Sequence, residues 1–367
     1  MLRFKSNHNK NKANSEIHKQ ASLALPGYLS RGAFGLCAAI SLAACAPETN
    51  DQALAVSEDA AGEAIEVRWT EHGIPHVTAQ TWEGLGFGFA HSVAYDGVCV
   101  IAKELATVNG ELSAFFGADE ANINSDAFHR ALLNESKIDE YLAASSANST
   151  AMDAGYARGY NHFIETRAAE LPASCLGADW VKPIDERDLA RLAIGVGIRY
   201  GLGRVTTQIA TAQPNQTVAG LEPLDLFVDV EKIGSNAYAF GSELTENGRG
   251  ILLGNPHYPW QGPSRFHMAH LTLPGEVDFM GVGLLSTPRL AIGFNDKIAW
   301  SHTVSTALRF TFFRLDLVPG NPMAYQLGDE QREIQAIDVQ IETPEGVVDR
   351  TVYLTHLGPV VAGEQTP

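Results

Sequence analysis

Residue patterning along this chain changes from helical to strand-like across the stretch from Gly203 to Gly234, and the strand-like part opens at Gly234-Ser235. Ahead of Gly203, apolar residues recur at helical spacing over 82–109, 136–170 and 186–200, interrupted in the first of these by the glycines of GLGFGFAHS. Asp185 or Glu186 is placed to cap the last of them. A short alternating run, IEVRW at 65–69, precedes the helices and reads as a strand followed by the turn His72-Gly73-Ile74-Pro75. Behind Ser235 the pattern is short and strand-like: AYAFG, RGILLG, HMAHLTLP, VDFMGVG, LAIGF, KIAWSHT, FTFFRLDL, DVQIET and VDRTVYLTH, separated by Gly, Pro and Asn. Such runs predict antiparallel sheet. A helical region followed by a β-rich one is an α+β order. The stretch from Gly203 to Gly234 contains VTTQIATAQPNQTVAGLEP, which has no apolar period. It reads as a long surface loop, and loops of that length are commonly functional.

The N-terminus has its own logic. Residues 1–31 are polar and basic, and the apolar run AFGLCAAISLAAC follows from Ala33 to Cys45. That run is too short to span a bilayer and suits the core of an export signal. Leu42-Ala43-Ala44-Cys45 resembles a bacterial lipobox, which predicts a lipid on Cys45 and an outer-membrane anchor. Ala44-Cys45-Ala46 also fits ordinary secretory cleavage, so both fates stay open. Residues 46–62 are small and acidic and read as a flexible tether. The formal net charge is −17 although the leader is basic, so the body is more acidic still. That excludes nucleic acid and anionic membrane surfaces as expected partners. Of the four cysteines, only Cys99 and Cys175 lie beyond the leader. They are either a disulfide, which export permits, or two buried thiols. No CxxC, HExxH, GxxxxGK or GxSxG pattern occurs, so zinc, nucleotide and α/β-hydrolase chemistry lack support.

A serine at position 235 becomes chemically special if the chain cuts itself before it. Its hydroxyl would attack the Gly234 carbonyl, and hydrolysis would free an α-amine on Ser235. That amine, with an ordinary pKa near ~7.7, can serve as the serine's own general base. Gly234, lacking Cβ, permits a strained backbone at the cut. The wider context is GSNAYAFGSE, NPHYPW and PGEVDFMGVGLLSTPRLAIGFNDKIAWSHTVSTALRF. It resembles the start of the β chain in the penicillin acylase family of N-terminal-nucleophile hydrolases. The run VRWTEHGIPHVTAQTWEGLGFGFAHSVAYDGVCVIAKELATVNGELSAFFG resembles the start of that family's α chain. Together the matches cover roughly Ile65 to the end, and NPHYPW and SHTVST are most similar to acylases of acyl-homoserine lactones and of lipopeptides (aculeacin type).

The resemblance implies an αββα sandwich, present here in part. It implies an α-chain region at 63–210, an excised spacer at 211–234, and the N-terminal part of a β chain at 235–367. It implies autoproteolysis and amide hydrolysis by Ser235. His257 would orient the hydroxyl and amine, and the Val304 backbone N–H would donate to the oxyanion. Tyr258 and Trp260 would wall an acyl pocket, or serve as plain core. The family's second oxyanion donor, an asparagine, falls well beyond residue 367. The sequence therefore reads as an N-terminal portion of a longer protein or as a naturally short relative. Members that bind calcium use acidic residues where this chain has Ala307 and Phe310, so neither metal nor cofactor is expected. His72, His76, His267, His270 and His302 are expected to be structural. The expected activity is an exported amidohydrolase acting on a small-molecule N-acyl amine, foremost an N-acyl-homoserine lactone. β-Lactam or lipopeptide acylase activity is the enzymatic alternative. A catalytically incomplete, lipid-anchored envelope protein is the non-enzymatic one.

Overall fold

The structure, a computed structural model, describes residues 53–56, 64–214, 234–305 and 309–361. The expected leader with Cys45, most of the expected tether, spacer residues 215–233 and Ala307 lie outside these. Within the tether, however, Ala53–Val56 form a strand, β1, antiparallel to β2 (Ile65–Trp69). The alternation Ala-Leu-Ala-Val suffices to pair with an otherwise open sheet edge.

The expected order of helices followed by strands is observed. β2 turns through Gly73 (φ 75°) into β3 (Pro75–Thr78), and α1 (Trp82–Val108) follows. Thr81 caps α1, its hydroxyl accepting from Gly84 N–H at 2.9 Å. α1 is apolar on nearly every face, and 78% of its most apolar window is buried in protein. It is thus the central helix of the fold, lying between a sheet and α5. α2 (Leu112–Phe116) and α3 (Glu120–Leu132) follow. The helix expected over 136–170 is two helices, α4 (Glu135–Ala144) and α5 (Ala147–Thr166). The break falls at Ser145-Ser146 because Ser146 caps α5 through Ser149 N–H; Asn134 caps α4 in the same way. α6 (Glu186–Arg199) begins with a reciprocal capping box between Asp185 and Asp188. The loop expected from Gly203 is instead helical at first: a 3₁₀ turn at Leu202–Val205 leads into α7 (Thr206–Ala210). Val205, Ile209 and Ala210 are buried there, which a short segment does not announce as a period.

The second half supplies β4 (Gly234–Phe240), β5 (Ile251–His257), β6 (Phe266–Leu273), β7 (Val277–Leu284), β8 (Ile292–Phe294) and β9 (Ala299–Trp300). One seven-stranded sheet has the order β1-β2-β3-β6-β7-β8-β9. Its only parallel pair among the described strands is β3 with β6, registered His76 to His270. That pair joins the regions on either side of 215–233. The core reflects this: Ile65, Val67 and Val77 pack with Phe89, Tyr160, Ala269 and Leu271. The Cys99 and Cys175 sulfurs form a disulfide, 2.08 Å long, tying α1 to the loop after α5.

Beyond β9 come β10 (Asp316–Val318), β11 (Asn321–Leu327), β12 (Glu330–Glu333), β13 (Gln335–Thr343), β14 (Gly346–Thr355) and β15 (Gly358–Pro359). Of the expected strand FTFFRLDL only its last residues pair; Phe310 and Phe312 instead pack on a second core with α3, α7, β13 and β14. The described strands thus form four separate sheets. The β4–β5 ribbon is the barest of them, with Tyr238, Phe240, Ile251 and Leu253 all exposed.

Candidate active site

The β4–β5 ribbon fixes the site. Its register sets Gly234 opposite His257, Ser235 opposite Pro256 and Asn236 opposite Asn255. Side chains alternate along each strand, so Gly234, Asn236, Asn255 and His257 share one face and Ser235 and Pro256 the other. On the first face, His257 Nε2 lies 2.7 Å from Asn255 Oδ1. A carboxamide oxygen only accepts, so Nε2 carries the proton and Nδ1 is left as an acceptor. Nδ1 lies 3.4 Å from the point a Cβ on Gly234 would occupy, an ordinary van der Waals contact. Asn236 Nδ2 also lies 3.4 Å from Nε2, but as a second donor it makes no hydrogen bond to a protonated Nε2. Gly234 itself is ordinary extended strand and not among the glycines with positive φ. The strained backbone expected at the cut is absent, and the extended strand here is one that other residues also adopt.

The Ser235 hydroxyl donates to the carbonyl oxygen of Gly234. Nucleophile and proposed target therefore touch. Ser235 also lines a cavity of about 240 Å³. Three parts of the fold converge on it. The end of α6 and the following turn bring Gly197, Tyr200 and Arg204; the large sheet brings Phe266, Leu284 and Ile292; the segment after β9 brings His302, Thr303, Val304 and Arg309. Tyr258 stacks on Phe266 with centroids 5.4 Å apart, and Tyr200 lies 6.2 Å from Tyr258. Tyr200 is itself tethered, its hydroxyl 2.9 Å from Ser264 Oγ. Burial, then the neighbouring Tyr200, raises the Tyr258 phenol's pKa, so it stays a neutral hydroxyl. Behind this wall Arg199 pairs with the buried Glu104, fixing the end of α6.

The expected residues are distributed unevenly. Ser235, Tyr258 and Val304 meet at the cavity. Val304 does so from an irregular segment, since the expected strand stops at Trp300. His257 reaches Gly234 from the opposite face rather than lining the cavity. Trp260 is 90% exposed and walls nothing; it sits on the bend after β5, where the chain has left the sheet. His302, expected to be structural, is a cavity residue. The other histidines keep to the fold: His76 and His270 lie 2.8 Å apart, His270 bonds Asp278 at 2.6 Å, and His267 faces Asp96 at 3.1 Å. Sequence reading missed Asn255, Tyr200, Arg204 and Arg309. Asn255 had a usable signal, lying two residues before His257 in a strand; the others converge only through tertiary structure.

The chain is 37% identical to the acyl-homoserine lactone acylase PvdQ of Pseudomonas putida over 345 residues, covering 89% of this chain and 44% of that protein. It is 36% identical to the aculeacin-A acylase of Actinoplanes utahensis, covering 82% of this chain and 41% of that one. A solved thermostable penicillin G acylase from Alcaligenes faecalis aligns over 37% of this chain and 73% of its own, with 25% identity and a TM-score of 0.34. The chain thus spans less than half the length of these curated relatives. Residues 64–366 match penicillin amidase as a family, and the chain belongs to that family.

Proposed function

We propose that this chain carries the nucleophile-bearing part of an exported acylase that cuts itself at Gly234-Ser235 and hydrolyses the amide of N-acyl amines. The observation that carries the reading is the Ser235 hydroxyl, held on the Gly234 carbonyl at the edge of a cavity walled largely by apolar and aromatic side chains. In self-cleavage, Ser235 Oγ attacks the Gly234 carbonyl carbon and its proton passes to the departing Ser235 nitrogen. The resulting ester is hydrolysed by water, leaving a Gly234 carboxylate and a free Ser235 amine. In turnover that amine takes the Oγ proton as the hydroxyl attacks the substrate carbonyl, then delivers it to the leaving amine. Water releases the acyl group from Oγ as a carboxylic acid. The Val304 N–H stabilises the oxyanion, and His257, its tautomer fixed by Asn255, acts at the cut. The αββα sandwich belongs to the same proposal, as do export and lipid attachment at Cys45.

N-Acyl-homoserine lactones are the favoured substrates, because an aliphatic chain suits the wall made by Phe266, Leu284 and Ile292. Each CH₂ buried there contributes about 0.8 kcal/mol. The test is to incubate the full gene product with N-decanoyl-homoserine lactone and resolve products by mass spectrometry. Decanoate plus homoserine lactone is expected. Ring opening with the amide intact contradicts the acylase reading.

A further inference from the structure

One turn of the large sheet is tied to a helix that precedes the Gly234-Ser235 bond. The turn joins β7 to β8, and residues on both sides of it, Leu284, Ala291 and Ile292, line the cavity beside Ser235. It folds back directly on β7. The Ala291 N–H donates to the Val282 carbonyl at 2.8 Å, and a Cβ on Gly283 would sit 2.1 Å from the Arg289 carbonyl oxygen. With backbone against backbone the turn has little slack, so a shift at Arg289 passes to Ala291 and Ile292. The Arg289 side chain leaves this turn for α5. Its Nη1 meets Asp153 Oδ1 at 2.7 Å, and its Nη2 donates to the Ser149 hydroxyl at 2.8 Å and to the Ser149 carbonyl at 3.2 Å. Asp153 is buried, on a stretch of α5 that also buries Met152 and Tyr156. Burial disfavours its charged form and raises its pKa, and Arg289 opposes that rise. A buried carboxylate deprived of its partner is strongly destabilising, so α5 holds the arginine and, through it, the turn. The planar guanidinium engages both α5 residues at once.

We propose that Arg289 is a positioning residue of this site: held by Ser149 and Asp153 of α5, it fixes the wall formed by Leu284, Ala291 and Ile292 and so sets how well long acyl chains are told from short ones. The inference rests on the acylase reading of the site and concerns its specificity. Arg289 does not itself line the cavity and acts through the wall. A longer chain covers more of that wall than a short one, and each buried CH₂ is worth about fourfold in affinity. A wall that drifts forfeits those contacts for the long chain. It leaves the short chain, and the chemistry at Ser235, nearly as before. Because α5 lies ahead of Gly234 and Arg289 behind it, the tie joins two separate chains once that bond is cut.

The experiment uses the complete gene product with N-decanoyl- and N-butanoyl-homoserine lactone. The variant is Arg289→Met combined with Asp153→Asn, which removes both charges together and strands no buried carboxylate. The readout is the ratio of kcat/KM for the decanoyl substrate to that for the butanoyl one. It is expected to fall about tenfold, the contacts of one to two methylenes, through KM for the decanoyl substrate with kcat kept within about twofold. Arg289→Lys in the otherwise native chain keeps the charge but lacks the fork, and should give an intermediate ratio. A general loosening of the fold would lower kcat/KM for both substrates alike. That result, or an unchanged ratio, overturns the proposal. Calorimetry on the Ser235→Ala protein, with and without the paired substitutions, reads the same ratio as Kd and needs no turnover. If the wild type binds both probes and hydrolyses neither, the acylase reading fails, and the Kd ratio alone then decides the positioning role.

Discussion

Gly159→Ala should destabilise the protein although it replaces a helical glycine with the best helix former. α5 lies against α1 through glycine. A Cβ built on Gly159 would sit 2.2 Å from the Phe87 carbonyl oxygen, and one on Gly155 would sit 1.8 Å from that of Glu83. These obstacles are backbone atoms, which cannot rotate aside as a side-chain tip can. The two helices would have to part by about 1 Å around a seam that buries Phe89, Tyr156 and Tyr160. Helix propensity favours alanine by about 1 kcal/mol. Overpacking a close-packed seam costs typically ~1–3 kcal/mol, and a collision with rigid backbone belongs at or above the top of that range. The net expectation is a loss of about 2 kcal/mol or more, a fall in Tm of about 4 °C or more for a chain of this size. Gly197→Ala in α6 is the matched control, since nothing lies within 4 Å of its added methyl. It should gain up to ~1 kcal/mol. Thermal and urea unfolding followed by circular dichroism at 222 nm measures both. If Gly159→Ala is as stable as Gly197→Ala, α1 and α5 do not touch through glycine and the arrangement of the central helix is wrong.

Replacing both Cys99 and Cys175 by Ser should lower stability by about 4 kcal/mol, because the bridge closes a loop with a sequence separation of 76. Urea unfolding of the two forms measures the difference, and thiol alkylation of the native protein should label neither cysteine. His91 is held neutral by burial, with His162 and Arg167 adding positive charge, and its pKa falls from 6.5 to about 4. The unfolded chain binds that proton more readily. Stability should therefore fall as pH drops from 6.5 through about 4, by a total of about 3 kcal/mol, and His91→Phe should flatten the decline in that window. Asn255→Ala frees the His257 tautomer and should slow self-cleavage about tenfold, whereas Asn255→Asp keeps an acceptor and should process faster than the alanine variant; a time course of intact mass follows both.

Much of this architecture is written locally. Thr81 and the Asp185-Asp188 box start helices where the apolar periods begin, and the alternation in IEVRW sets Ile65 and Val67 inward. The β4 and β5 patterns were equally plain, and they brought Gly234, Ser235 and His257 into register. What local pattern could not give is where elements stop or what they meet. Ser145-Ser146 splits a helix because serine can satisfy the next helix's N–H groups as well as sit within the previous one. β1 exists because β2 offers an open edge. Trp260 faces solvent because the chain leaves the sheet two residues earlier. Arg204 lines the cavity together with residues of β6, β7, β8 and the segment after β9, a long-range outcome with no sequence period.

The central claim is that Ser235 is an N-terminal nucleophile, and N-terminal sequencing with intact mass measurement of the purified full gene product tests it most directly. The account predicts a fragment beginning Ser-Asn-Ala-Tyr in the wild type, none in Ser235→Ala, and a mass increase of one acyl group on that fragment after a slow N-acyl substrate. A folded wild-type protein that keeps the Gly234-Ser235 bond, or that becomes acylated at any residue other than Ser235, contradicts it.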